Sequence, residues 1–166
     1  MSKGFTHEAA VGASVEWYTP KSVFDALGVK FDLDPCTPGG GLTHVPADNH
    51  YTRKEDGLES EWFGRVWCNP PYGRGINTWL KKCAEHGEAI ALVPARTDAA
   101  WFHEATRTAD LILFPRGRIK FHPGHKEAPN SGSPGVGNVF IAWGKWSASV
   151  LNAANIDGAK FERKIA

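Results

Sequence analysis

The sequence predicts a single α/β domain with a largely parallel sheet. Short apolar stretches of strand length alternate along the chain with amphipathic stretches of helix length, the pattern of strand–helix–strand crossovers. The 166 residues suit one domain, with no internal repeat and no break in composition to mark a second. Hydrophobic residues make up 42%, enough for a core and too many for a disordered chain.

Residues 1–13 are polar, contain Gly and Ala, and are expected to be a flexible N-terminus, leaving 14–166 as the folded domain. PKSVFDALG opens the helical pattern, with Thr19 as N-cap, Pro20 in the first turn and Gly28 as C-cap. KFDLD alternates as a strand does, and TPGGGLTHVPADN after it reads as loop. RVWCN is the next strand and ends at Asn69-Pro70-Pro71-Tyr72. GRGINTWLKKCAEHG follows as a helix, with Ile76, Trp79, Leu80 and Cys83 on one face and Gly87 as its stop. EAIALVPA is a buried strand. TDAAWFHEATRTA is a helix capped by Thr97 or Asp98, and its Trp101 and Phe102, like Trp79, are expected in the core. DLILFP is another buried strand, and NVFIAWG is the last. Between them, 115–137 is too long and too rich in Gly and Pro for an ordinary connection, and is expected to be a mobile, functional loop.

Charge divides the chain. Residues 1–72 carry a net −4 and residues 73–166 a net +5. Within 107–126 five basic residues face only Asp110, a tract that suits phosphate contact or a plain solvated surface. No apolar run approaches the roughly 20 residues that span a bilayer, and the N-terminus lacks the apolar core of a secretory signal. The three cysteines are an odd number without a CxxC, which points to a reducing cytoplasm. Cys36, His44 and His50 do not have metal-ligand spacing, nor do His122 and His125, so no metal is expected.

The strongest chemical signal is Asn69-Pro70-Pro71-Tyr72, placed where a strand ends and before a helix begins. Ligand sites of open α/β sheets lie at such strand ends. An exocyclic amine on a base is a poor nucleophile, because its lone pair is delocalised into the ring. Two acceptors aimed at its N–H groups favour the tetrahedral form that attacks. The Asn69 side-chain carbonyl and the Pro70 backbone carbonyl are such a pair, and two successive prolines hold the turn rigidly. Tyr72 offers a flat face to a base flipped out of a duplex.

Six blocks in order extend this signal: EWYTP (16–20), FDLDPC (31–36), YTRKEDGL (51–58), VWCNPPYG (66–73), LVPARTDAAWFH (92–103) and GRIKF (117–121). On these blocks, from about Glu16 to about Gly144, the chain resembles the bacteriophage-type DNA N6-adenine methyltransferases. The resemblance implies a minimal Rossmann-like class I methyltransferase fold, a mostly parallel sheet flanked by helices. It also implies S-adenosylmethionine as cofactor, double-stranded DNA as partner, a bacterial host cytoplasm, and no obligatory protein partner. Carried onto matching positions, it makes Asn69, Pro70, Pro71 and Tyr72 catalytic. Trp17, Thr19 and Pro20 match a cofactor-side motif; Asp34, Pro35 and Cys36 match the end of the first strand, where a carboxylate can hold the cofactor's ammonium. Tyr51 and Asp56 match the block toward its ribose or adenine. One departure stands out: the glycine-rich loop of the family is displaced here to Gly39, Gly40 and Gly41.

Arg74, Arg96, Arg118 and Lys120 are the candidates for DNA contact, and the 115–137 loop is expected to contribute to it. Arg118 and Lys120 alternate with Ile119 along a presumed strand, and Arg74 directly follows the catalytic turn. Two other readings stay open. The same turn serves methyl transfer to cytosine N4, RNA amines or protein glutamine. The fold also serves nucleic-acid-binding modules that have lost catalysis.

Overall fold

The computed structural model describes residues 17–39, 43–123 and 135–164. In chain order the elements are β1 (Trp17–Tyr18), α1 (Lys21–Leu27), β2 (Phe31–Asp34), β3 (Ala47–His50), β4 (Val66–Cys68), α2 (Ile76–His86), β5 (Ala89–Pro94), α3 (Ala100–Thr108), β6 (Leu111–Pro115), β7 (His122–Pro123), β8 (Asn138–Trp143), α4 (Lys145–Ala153) and β9 (Gly158–Glu162). Seven strands form the main sheet in the order β3-β2-β4-β5-β8-β6-β9, and β1 and β7 pair as a separate ribbon. β3, β2, β4 and β5 are mutually parallel, while β8 runs against both β5 and β6, and β9 against β6. The expected α/β class therefore holds, with a mixed sheet. Most of its strands share one direction, but β8 is wedged antiparallel between β5 and β6.

Alternation along the central strands builds the two cores. Ile90, Leu92, Phe140 and Ala142 face α1 and α4, together with Phe24, Leu27 and Leu151. Ala89, Ala91, Val93, Val139 and Ile141 face α2 and α3, together with Leu80, Cys83 and Phe102. Every residue of β5 and β8 is buried, as strands covered on both faces must be. Trp67 lies among Phe24, Phe31 and Phe140 at ring separations of 4.9, 5.7 and 6.4 Å.

Helix ends depart from the sequence reading at their N-termini. Pro20, not Thr19, is the N-cap of α1, and Ala99, not Thr97 or Asp98, is that of α3; neither cap uses a side-chain hydrogen bond. The C-terminal expectations hold: Gly28 and Gly87 take left-handed φ of 67° and 79°, and their N–H groups bond back to Phe24 and Cys83. Three elements escape the periodic pattern. β3 (ADNH) is a largely exposed edge strand with no apolar alternation, in a stretch that reads as loop. α4 packs through Ser147 and Ala148 as well as Val150 and Leu151, so its apolar stripe is faint. β9 is mostly exposed and held by backbone pairing to β6. Residues 118–120 are not strand; Arg118 and Lys120 are exposed and Ile119 half-buried on an extended connection into β7. The expected flexible segment 1–13 and residues 124–134 of the expected loop lie outside the described residues, as do Gly40 and Gly41.

Two glycines allow close approaches of the chain around β2 and β4, Gly64 before the start of β4 and Gly57 against the turn that follows β2. Gly64 has φ of 63°, and a Cβ there would meet the Asp32 carboxylate at 2.4 Å. That carboxylate accepts the Arg65 N–H at 2.7 Å, which locks the start of β4 onto β2. Gly57 packs so tightly that a Cβ would lie 1.9 Å from the Pro35 carbonyl oxygen. Gly57→Ala is expected to lose about 1–3 kcal/mol of stability by overpacking. Gly75→Ala, with nothing within 4 Å of the new methyl, should be close to neutral. Equal denaturation midpoints for the two variants would contradict this packing.

Candidate active site

β2 and β4 are neighbouring parallel strands, with Leu33 opposite Val66. Their carboxyl ends therefore emerge side by side, and the turns Asp34-Pro35-Cys36 and Asn69-Pro70-Pro71 share one edge of the sheet. A cavity of about 1090 Å³ opens between them, large enough for a small-molecule ligand. Its walls include those six residues together with Trp17, Thr19 and Asp56. Nine of the sequence-predicted residues thus meet in one space, although they are spread over more than 50 positions of the chain.

Asn69 is oriented from across the cavity. Its Nδ2 donates to the Trp17 backbone carbonyl at 2.5 Å. A carbonyl can only accept, so the amide cannot be reversed, and Oδ1 is the atom left over. That Oδ1 is buried and has no partner among the described residues. A buried acceptor without a donor costs about 1–3 kcal/mol. Thr19 Oγ1 and Trp67 Nε1, both on residues of the cavity wall, are buried and unpartnered in the same way. The loss of the capping role frees Thr19 for this wall.

Asp34 is the charged pole. It is buried, and desolvation pushes its carboxyl up to about 7 in spite of the Cys36 N–H that it accepts at 3.2 Å. Its nearest cationic candidate is His50 Nδ1 at 3.9 Å. A carboxylate held in this way favours a cationic ligand, whose charge would offset the desolvation. Beside it, Cys36 Sγ lies 3.9 Å from Cys68 Sγ. Burial, with the Cys36 and Cys83 thiols alongside, pushes the Cys68 thiol well up. For Cys36 the bond with Cys68 pulls down, but burial and Asp34 leave the net direction upward. Both remain thiols at neutral pH.

Pro20, Tyr51 and Tyr72 lie outside the cavity lining. Pro20 starts α1. Tyr51 is a strut: its N–H donates to Asp34 O at 2.9 Å, its carbonyl accepts from Thr37 N at 3.1 Å, and its hydroxyl donates to Glu61 O at 2.8 Å. Asp56 lines the wall in a left-handed turn with φ of 48°, and its Oδ1 accepts the Leu58 N–H at 3.1 Å. Tyr72 turns its hydroxyl inward, donating to Leu92 O at 3.5 Å and accepting from Asn138 Nδ2 at 3.1 Å, and burial holds its pKa above the ordinary value. Its ring meets Phe121 edge-on at 6.4 Å, and Phe121 meets Trp17 at 6.3 Å. Arg74, Arg96, Arg118 and Lys120 are exposed. Sequence reasoning missed Trp67 and Asn138, since apolar patterning marks the strands but not which buried side chain carries a polar atom. Trp79, expected in the core, is half-buried, lines the cavity and stacks on Trp62 at 6.3 Å. Among the described residues no group of His, Cys, Asp and Glu is arranged to hold a metal ion, and no helix is long and apolar enough to cross a membrane.

A ligand cavity at the carboxyl ends of adjacent parallel strands, with one charged pole and one orphaned acceptor, defines the class of α/β proteins that work at the edge of the sheet. Within that class, residues 9–163 match the model of the DNA N-6-adenine-methyltransferase (Dam) family, and the chain belongs to that family. It is also 32% identical, over 108 residues, to a DNA N-6-adenine-methyltransferase of Escherichia phage T1. That match covers 59% of this chain and 43% of the phage protein, so the chain spans less than half the length of this relative. No solved structure matches the chain.

The Asp34 carboxyl, raised from 3.8 to about 7, favours folding at low pH, and its contribution is lost as pH rises through 7. Asp34→Asn should therefore gain melting temperature relative to the parent as pH goes from 5 to 8, at about 2–4 °C per kcal/mol. The same difference at both pH values would show that this carboxyl does not titrate in that range.

Proposed function

We propose that the chain methylates adenine N6 in double-stranded DNA, with S-adenosylmethionine as donor, on a Rossmann-like class I methyltransferase fold. The observation that carries this reading is the orphaned Asn69 Oδ1, held by Trp17 at the edge of a cavity whose other pole is Asp34. Family membership supplies the reaction class, and the phage T1 relative carries the same activity in its name.

The residues fit such a donor. Asp34 would hold its ammonium group, and the Pro35 and Cys36 turn would flank the amino-acid part. Asp56 and its turn would lie toward the ribose and adenine. When bound, S-adenosylmethionine supplies a methyl group made electrophilic by the adjoining sulfonium. Asn69 Oδ1 and the Pro70 carbonyl accept the two N–H groups of the target amine, concentrating the nitrogen lone pair for in-line attack. The donor would leave as a neutral thioether, and the methylated amine would release one proton to water. Preorganised acceptors and orientation are the main rate terms. Asn69 Oδ1 is covered in this conformation, so the arriving base must part the wall above it. Its ring would then stack on Tyr72.

The DNA-facing side is the one around Tyr72. Arg74 follows the catalytic turn, Arg96 follows β5, and Arg118 and Lys120 lead into Phe121 against the Tyr72 ring. Phosphate contact from these cations positions the duplex without reading its sequence.

Radiolabelled methyl transfer to unmethylated DNA, followed by digestion to nucleosides, should place the label in adenine. Asn69→Ala should cut the rate about 10²–10³-fold while leaving donor binding intact. Label in cytosine, in RNA or in protein would redirect the substrate assignment, and normal turnover by the alanine variant would sink the mechanism. Arg74→Ala and Lys120→Ala should each weaken DNA binding at every sequence and lower the salt slope by about one. An unchanged slope would remove that residue from the DNA surface.

A further inference from the structure

Asn138 is a buried polar residue at the head of an otherwise apolar strand. It opens β8, opposite Pro94 in the antiparallel register, and is buried at 5% exposure. The strand that follows it, Val139 to Trp143, is apolar and buried throughout. Its Nδ2 donates to Tyr72 Oη at 3.1 Å and to Val93 O at 3.4 Å. Its Oδ1 is buried with no partner among the described residues. A half-satisfied buried amide lowers stability relative to an apolar side chain of the same size. Stability alone therefore does not explain it, and the shorter of its two bonds goes to Tyr72.

We infer that Asn138 is a positioning residue that anchors the hydroxyl end of Tyr72 and so sets the plane of the ring on which the target base stacks. This rests on the methyl-transfer reading. The Tyr72 ring has three restraints: the Pro70-Pro71 turn at its backbone, the Phe121 edge at 6.4 Å, and its hydroxyl bonds. Of the two hydroxyl bonds, that to Leu92 O is 3.5 Å, at the outer limit of a hydrogen bond, so the 3.1 Å bond from Asn138 is the firmer anchor. Without it the ring can swing about its side-chain torsions. A base stacked on a tilted ring carries its amine away from Asn69 Oδ1, and misplacement on the ångström scale is felt in the rate of transfer rather than in donor binding.

The variants Asn138→Leu, Asn138→Ala, Tyr72→Phe and the double variants test this. Ala removes the donor and adds no bulk, so it serves where Leu fails to fold. The Asn138 variants should keep donor affinity and lose roughly tenfold or more in kcat. Combined with Tyr72→Phe, they should lose no more than the worse single variant, because both act through one hydroxyl. Losses that multiply instead would overturn the inference. A second readout does not need turnover. The chain has three tyrosines, and fluorotyrosine labelling gives each a fluorine signal, with that of Tyr72 identified by its absence in Tyr72→Phe. In the Asn138 variants the Tyr72 signal should shift and broaden more than those of Tyr18 and Tyr51; a signal left in place would overturn the anchor. Absence of label from DNA treated with the wild-type chain would overturn the methyl-transfer reading alone. The anchor would then stand or fall on the fluorine spectrum.

Discussion

The side-by-side pairing of β2 with β4 is the constraint on which the site depends. Two short strands are not strongly held by their own ladder, and here the pairing is reinforced at its start. The Asp32 carboxylate takes the Arg65 N–H, and Gly64 lets the chain come close enough for it. Once that register is set, Asp34 and Asn69 have no choice of side. Their turns leave the sheet at the same edge, and the 52–57 turn closes over them because Gly57 tolerates the Pro35 carbonyl where a methyl would not. The cavity follows from backbone geometry, and the side chains only furnish it.

Much of this was legible in the residues, and the parts that were not share a cause. The apolar runs AIALVP and NVFIAW announce themselves, because strands covered on both faces need bulk everywhere. The Asn69 turn is legible because two prolines after a buried strand admit few conformations. β3 and β9 are not, since edge strands held by backbone bonds leave no trace in side-chain periodicity. The antiparallel insertion of β8 is also silent, because a buried strand looks alike in either direction. That insertion brings the start of β8, and with it Asn138, to the edge where parallel strands end. Local patterning gave Thr19 a cap that Pro20 takes instead, and the neighbourhood of Asn69 explains why a hydroxyl is kept there.

Polarity within the cavity is arranged by withholding partners. Asp34 sits buried with a single backbone donor, and Asn69 keeps one acceptor unmade. Each lowers stability, and a ligand group that pairs with it would offset that cost. The same logic covers Thr19 Oγ1 and Trp67 Nε1. Tyr72 contrasts with them: its hydroxyl is satisfied on two sides, as befits a ring that must hold still.

The sulfur pair bears on chemoselectivity. An alkyl donor lodged in this cavity would sit along Cys36, whose sulfur is intrinsically a far better nucleophile than any nucleobase nitrogen. Reaction there would alkylate the protein itself and end its working life after one event. Only the ionised form is dangerous; at Cys36 the bond with Cys68 favours it, and burial with the neighbouring Asp34 carboxylate outweighs that pull. With such a donor in place, setting this sulfur beside a buried carboxylate would be a means of self-protection, keeping the most reactive atom in the chamber inert so that the weaker nucleophile can compete.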